Sequence, residues 1–154
     1  AGKEIVAELY RMSKHYPQSV VFLEDYDMKL GRILTRGCDV WLNNPRRPQE
    51  ASGTSGMKAA MNGVLNLSVL DGWWPEGCVH GVNGWQIGDG YEGKDQDVRD
   101  RDALYRVLQN EVLPAYYQRR EKWVAMMAAS IGMAREQFST ARMLKEYFDE
   151  LYRE

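Results

Sequence analysis

Within Glu50–Gly63, EASGTSGMKAAMNG, a carboxylate, the hydroxyl residues Ser52, Thr54 and Ser55, and a single lysine are gathered around glycines. If a helix opens at Thr54, Lys58 follows one turn later on the same face. The amides of Thr54, Ser55 and Gly56 are then expected to lack intrahelical acceptors, and the helix dipole makes that end attract anions. Glycine at such a turn lets a phosphate approach the backbone closely. An anion cradle beside an amine suits a phosphorylated aldehyde held covalently through Lys58. A P-loop is excluded, because it needs glycine directly before the lysine and a hydroxyl residue directly after it, and the order here is Gly56-Met57-Lys58-Ala59. Spacing alone leaves an ordinary capped helix with a solvent lysine equally open, and it names no cofactor.

Other candidates are weaker. Glu50, in a glycine-rich loop, is suited to accepting sugar hydroxyls, although a loop acid in isolation is usually a solvated one. Tyr26 lies in a strand-to-helix turn, where an aromatic commonly just packs. Adjacent Arg46 and Arg47 could bind an anion, yet arginines in a proline-punctuated loop are usually solvated. Cys38 and Cys78 match no metal-ligand spacing and read as reduced thiols, and His15 and His80 are too far apart in sequence to form a local metal pair. No metal site is expected. A net charge of −2 with both signs interspersed argues against nucleic acid, and no apolar run is long enough to span a membrane. With no secretory leader pattern, the expected location is cytoplasmic.

The elements that must position these residues follow from periodicity. At 154 residues, 44% apolar and 27% charged, the chain suits one globular domain. Ile5, Val6, Leu9 and Met12 form a helical stripe that Pro17 closes. SVVFLE (19–24), CDVWLN (38–43) and VLNLSVL (64–70) read as strands buried on both faces, as in a parallel sheet, with helices over 28–37 and 54–62 between them. The polar segment 44–53 then lies at a strand's C-terminal end, where open α/β sheets bind ligands. Residues 71–93 form a glycine- and tryptophan-rich loop with one short strand at GWQIG (84–88). From residue 97 onward the chain is helical, with stripes at Leu104, Val107, Leu108, Val112 and Leu113, at Trp123, Met126, Met127 and Ile131, and at Phe138, Met143, Leu144, Tyr147, Phe148 and Leu151. All are read as core packing. Residues 1–96 thus form the α/β portion carrying the lysine loop, and residues 97–154 form helices that pack on it.

EASGTSGMKAAMNGVLNLSVLDG closely resembles the cofactor-lysine region of the α-glucan phosphorylases, the glycogen and maltodextrin phosphorylase family, and the resemblance extends upstream through VVFLEDYDMKLGRILTRGCDVWLNNPRRP. It implies a partial Rossmann-like parallel sheet from the C-terminal domain of a GT-B glycosyltransferase, with a helical C-terminal third, in a chain much shorter than the family's enzymes. By this resemblance Lys58 would hold pyridoxal 5′-phosphate, Thr54, Ser55 and Gly56 would lie by the cofactor phosphate, and Tyr26 would stand near the cofactor. Glu50, Ala51, Ser52 and Gly53 would hold the hydroxyls of the transferred glucose. Many members carry Gly-Asn before the Met-Lys pair where this chain has Ser55-Gly56, and DGWWPEG also departs from the long enzymes. Both departures fit the shorter bacterial branch.

The implied reaction removes the terminal glucose of an α-1,4-glucan with inorganic phosphate, giving α-glucose 1-phosphate with retention. Proton exchange through the cofactor's phosphate would replace a glycosidase's carboxylate pair. The missing N-terminal part of the same enzyme would supply the rest of the site, so this piece alone is expected to be inactive. An exposed sheet edge or apolar face would favour a homo-oligomer. Two other classes are weighed against this: a sugar-nucleotide-dependent GT-B glycosyltransferase, which needs no lysine-bound cofactor, and a non-catalytic carbohydrate-binding module using Trp73, Trp74 and Trp85 as stacking faces.

Overall fold

The computed structural model describes residues 2–153, which divide into two compact units, Ala1–Arg32 and Ile33–Glu154. In the first, helix α1 spans Gly2–His15. Glu4 in its first turn and Lys14 and His15 in its last complement the helix dipole, and the helix stops two residues before Pro17. Tyr10 meets Phe22 edge-on, with ring centroids 5.8 Å apart. Helix α2, Met28–Gly37, begins in this unit and runs across the division. Asp27 caps it by accepting the Leu30 N–H at 2.7 Å.

No described residue of the first unit is buried. The predicted strand over residues 19–24 does not form: the segment belongs to no sheet, and Val21 and Leu23 are 76% and 44% exposed. A strand is held by ladder hydrogen bonds to a neighbour, and composition cannot supply the neighbour.

The second unit is built on a parallel three-stranded sheet, ordered β1 (Val40–Asn43), β2 (Leu65–Val69), β3 (Gly84–Ile87). Val40 pairs with Leu65 and Asn66 with Gly84. Central β2 is buried throughout. Its alternation sends Leu65, Leu67 and Val69 into one core with Trp85, Ile87 and Trp123. The intervening polar groups are paired: Asn66 donates its side-chain amide to the Gly56 carbonyl at 3.1 Å, and the Ser68 hydroxyl donates to the Val69 carbonyl at 3.0 Å.

Helix α3, Thr54–Met61, connects β1 to β2. It ends in a left-handed turn at Gly63, φ +81°, with Gly63 N–H donating to Ala60 and Val64 N–H to Ala59. This is the paired closure of a Schellman motif, and it delivers the chain directly into β2. The short helix α4 (Trp74–Gly77) follows β2, and after β3 come α5 (Gln96–Val107), a π-helical turn (Leu108–Val112), α6 (Leu113–Gln118), α7 (Arg120–Gln137) and α8 (Thr140–Glu150). α5 packs on β3 and α7 on α3 and β2. Ala60, Trp73, Trp74, Met133 and Ala134 form a second core.

The C-terminal stripes divide. Val107, Val112, Trp123 and Met126 are core residues as expected, whereas Leu113 and Ile131 are 42% and 41% exposed. α8 buries nothing, and Leu144, Phe148 and Leu151 face solvent. Periodicity marks an apolar face without specifying what covers it. Among the described residues, no helix is long and apolar enough to cross a membrane.

Candidate active site

The loop from Asn44 to Gly53 leaves the C-terminal end of β1 and is fastened at three places. Arg47 donates through its guanidinium to the Leu70 carbonyl and pairs with Glu92, Nε to Oε1, at 2.8 Å, while its own carbonyl accepts from Gln96 at 3.1 Å. Arg47 is therefore a fastener, correcting the expectation of a solvated side chain. Arg46 is mostly exposed and paired with Asp97 at 3.3 Å. Further along, Glu50 N–H donates to Asp71 at 2.8 Å and Trp73 N–H donates to the Ser52 carbonyl at 2.9 Å.

Gly53 turns this loop into α3 with φ +86°, a left-handed conformation natural to glycine. A Cβ built on it would stand 3.0 Å from Trp73 Cδ1 and 3.2 Å from Glu50 Oε1. Gly56 is buried, and a Cβ there would stand 2.7 Å from Asn66 Oδ1 and 3.0 Å from Trp73 Nε1. Trp73 thus fills the space against both glycines, so close packing by itself calls for small residues at 53 and 56.

Thr54, Ser55 and Gly56 form the first turn of α3, but the three amides are not equivalent. Gly56 N–H donates to the Gly53 carbonyl at 3.1 Å, which corrects the expectation that it is free. Thr54 and Ser55, the first two residues of the helix, have no acceptor within it. Thr54 is exposed and Ser55 half-buried, and Lys58 stands exposed four residues after Thr54, on the same face. The Lys58 carbonyl accepts from the Asn62 side chain at 2.7 Å, leaving the ammonium group as its outward functional end. Two amides without helical acceptors, a hydroxyl and an amine within one helical turn form a donor set that fits a phosphorylated aldehyde. Glu50 is half-buried and Ala51 and Ser52 are exposed at the entrance to the same helix. Tyr26 belongs to the first unit, where it is 62% exposed, and a Cβ on Gly31 would stand 2.7 Å from its hydroxyl.

The tryptophans cannot serve as stacking faces for sugar. Trp73, Trp74 and Trp85 are 4%, 0% and 1% exposed, with Trp74 Nε1 donating to the Trp85 carbonyl at 3.3 Å and the Trp73 ring edge-on to Phe138 at 4.9 Å. They are core, which removes the basis for the binding-module alternative. His80 is also structural: its Nδ1 accepts the Gln86 N–H at 3.1 Å, which places the proton on Nε2, 2.8 Å from Glu111. Among the described residues, no group of histidine, cysteine, aspartate and glutamate side chains is arranged to hold a metal ion.

A concavity of about 280 Å³ lies at the ends of β2 and β3, between Val69 and Ile87 and the helix α5. Asp97 and Arg46 stand at this cavity, and burial, followed by the nearby carboxylates of Asp89 and Asp97, pushes the Asp100 carboxyl up. Sequence reasoning missed Asp71 and set Arg47 aside as solvated. Asp71 stands near the end of the quoted motif, but no local spacing signals a carboxylate that works on a loop twenty-one residues away.

The carbohydrate phosphorylase family model matches residues 12–74. The chain is 52% identical to the maltodextrin phosphorylase of Thermococcus litoralis over 99% of its own length and 19% of that protein's. It is 47% identical to the glycogen phosphorylase of Aquifex aeolicus over 98% of its length and 23% of that protein's. Against the glycogen phosphorylase of Mycobacterium bovis the identity is 40%, covering 98% of this chain and 18% of that one. The chain therefore spans about a fifth of the length of the curated relatives it matches. Among solved structures, Anabaena HepE in complex with UDP-glucose matches 97% of this chain and 37% of its own with a TM-score of 0.65 at 17% identity, a likeness of fold alone. That fold is a partial Rossmann-like parallel sheet of the kind found in GT-B architecture. With relatives at 40–52% identity over nearly its whole length, and the lysine loop inside the matched family region, this chain belongs to the carbohydrate phosphorylase family.

Proposed function

We propose that this chain is the cofactor- and sugar-holding segment of an α-1,4-glucan phosphorylase, from its C-terminal domain, which transfers the terminal glucose of an α-1,4-glucan to inorganic phosphate and releases α-glucose 1-phosphate with retention. The observation that carries this reading is the exposed Lys58 one turn beyond the Thr54 and Ser55 amides, at the end of the Glu50–Gly53 loop. Lys58 would hold pyridoxal 5′-phosphate, and the amides and hydroxyls of Thr54 and Ser55, with Gly56, would lie by its phosphate. When bound, the cofactor supplies a phosphate that exchanges a proton with the substrate phosphate. The Glu50 carboxylate accepts sugar hydroxyls, and the backbone of Ala51, Ser52 and Gly53 shapes the glucose site around them. Fixed loop dipoles at the helix entrance meet the charge that develops during transfer.

The remaining groups of the site come from the rest of the enzyme. The isolated chain is accordingly inactive in phosphorolysis, its unpaired apolar faces favour self-association, and the intact enzyme works in the cytoplasm. Borohydride reduction of the full-length protein followed by peptide mapping tests the assignment. Reduced pyridoxyl phosphate on Lys58 is the expected result, and an unmodified Lys58 in active protein would favour a sugar-nucleotide-dependent transferase instead.

A further inference from the structure

Building on the phosphorylase reading, we propose that Asp71 is the positioning residue of the sugar-contacting loop: it touches no substrate, and its buried carboxylate determines where Glu50 stands. Asp71 follows β2 by two residues and is 7% exposed. One carboxylate oxygen, Oδ2, accepts the Glu50 N–H at 2.8 Å, and the other, Oδ1, accepts the Gly72 N–H at 2.9 Å. Hydrogen bonds to an ionised acceptor are about twice as strong as neutral ones, and a buried carboxylate left without its donors is costly, so both contacts hold together.

A second rung reinforces the first. Trp73 N–H donates to the Ser52 carbonyl at 2.9 Å, so residues 50 and 52 are tied to residues 71 and 73 with no strand between them. Gly72 lies between the rungs at φ +56°, and a Cβ there would stand 2.6 Å from the Ser52 carbonyl oxygen and 3.0 Å from Glu50 Cγ. The Glu50 stem is thereby pressed against Gly72 while its Oε1 lies close to Gly53 at the mouth of α3. Helix α3 is held separately, by Asn66 on the Gly56 carbonyl and by the Gly63 turn. Loss of Asp71 should therefore move Glu50 while leaving Lys58 in place.

The test uses the full-length protein with Asp71→Asn, which preserves shape but replaces one acceptor with a donor, and Asp71→Glu, which shifts the carboxylate by one methylene. In Asp71→Asn the Glu50 and Gly72 amides should lose protection in residue-resolved hydrogen exchange, and KM for glucose 1-phosphate should rise about tenfold or more, as expected when a binding group moves by a fraction of an ångström. Lys58 should still be labelled by pyridoxal 5′-phosphate and borohydride, and Asp71→Glu should fall between wild type and Asp71→Asn. An unchanged KM in Asp71→Asn with the Glu50 amide released would overturn the proposal. So would a Glu50 amide that exchanges in the wild type like an open loop, a result that needs no variant to fold. A wild type whose Lys58 takes no label but whose Glu50 amide is protected would overturn the phosphorylase reading and leave the Asp71 clamp supported.

Discussion

Residues 64–70, VLNLSVL, and residues 20–24, VVFLE, are both short apolar runs with β-branched residues, and their fates differ. The first contains β2, hydrogen-bonded on both sides and buried at every position. The second belongs to no strand, with Val21 more exposed than not. The contrast extends to the units that contain them: residues 2–32 bury nothing, whereas 33–153 contain two cores with fully buried tryptophans such as Trp74, Trp85 and Trp123. Apolar composition is a requirement for burial, and burial follows only where neighbours supply both ladder partners and a covering layer.

This contrast can be tested by substitution. Trp74→Ala, at a fully buried position, should cost about 3–5 kcal/mol in urea unfolding of the chain. A loss close to that of a surface substitution would mean that the second core is not a core. Gly56→Ala should cost about 1–3 kcal/mol despite alanine's better helix propensity, because its methyl would press on Asn66 Oδ1 and the Trp73 ring. If it stabilised the chain, the close packing of Trp73 on α3 would be disproved.

A pH effect should be smaller, because solvent still reaches the group. Burial pushes the Cys78 thiol from its ordinary 9.0 up to about 12. The folded chain then holds a proton that the unfolded chain releases above pH 9.0, so stability should fall as pH rises from 9.0 towards 12, and Cys78→Ala should flatten that part of the profile. Cys38, raised less, should react first with an alkylating agent. The smallest effect belongs to Val21→Ala, expected within about 0.5 kcal/mol of wild type. A cost comparable to that at Trp74 would show that residues 20–24 are packed in solution.

Much of the site was legible in advance. The Thr54-to-Lys58 spacing, the helix start and the stop at Gly63 are local properties of a few residues, and the helix α3 runs where they indicate. Two expectations about the lysine loop and the tryptophans failed, for different reasons. The Gly56 amide was expected to be free, but the first turn tightens and spends it on Gly53. Trp73, Trp74 and Trp85 suggested stacking faces in a glycine-rich loop, yet that loop folds inward as α4 and β3 and carries them into the cores. The first outcome is a local tightening over three residues, whereas the second depended on contacts with residues distant in sequence.

By itself the sequence determined the helices over residues 2–15 and 54–61 and in the C-terminal third, the apolar runs able to become strands, the stop at Gly63, and the placing of Lys58 one turn from Thr54, because each depends on backbone sterics and periodicity within a few residues. Tertiary structure decided which apolar runs became strands, which tryptophans were buried, and that Arg47 and Asp71 hold the loop carrying Glu50. Those outcomes require hydrogen-bond partners from elements twenty or more residues away, which no local pattern encodes.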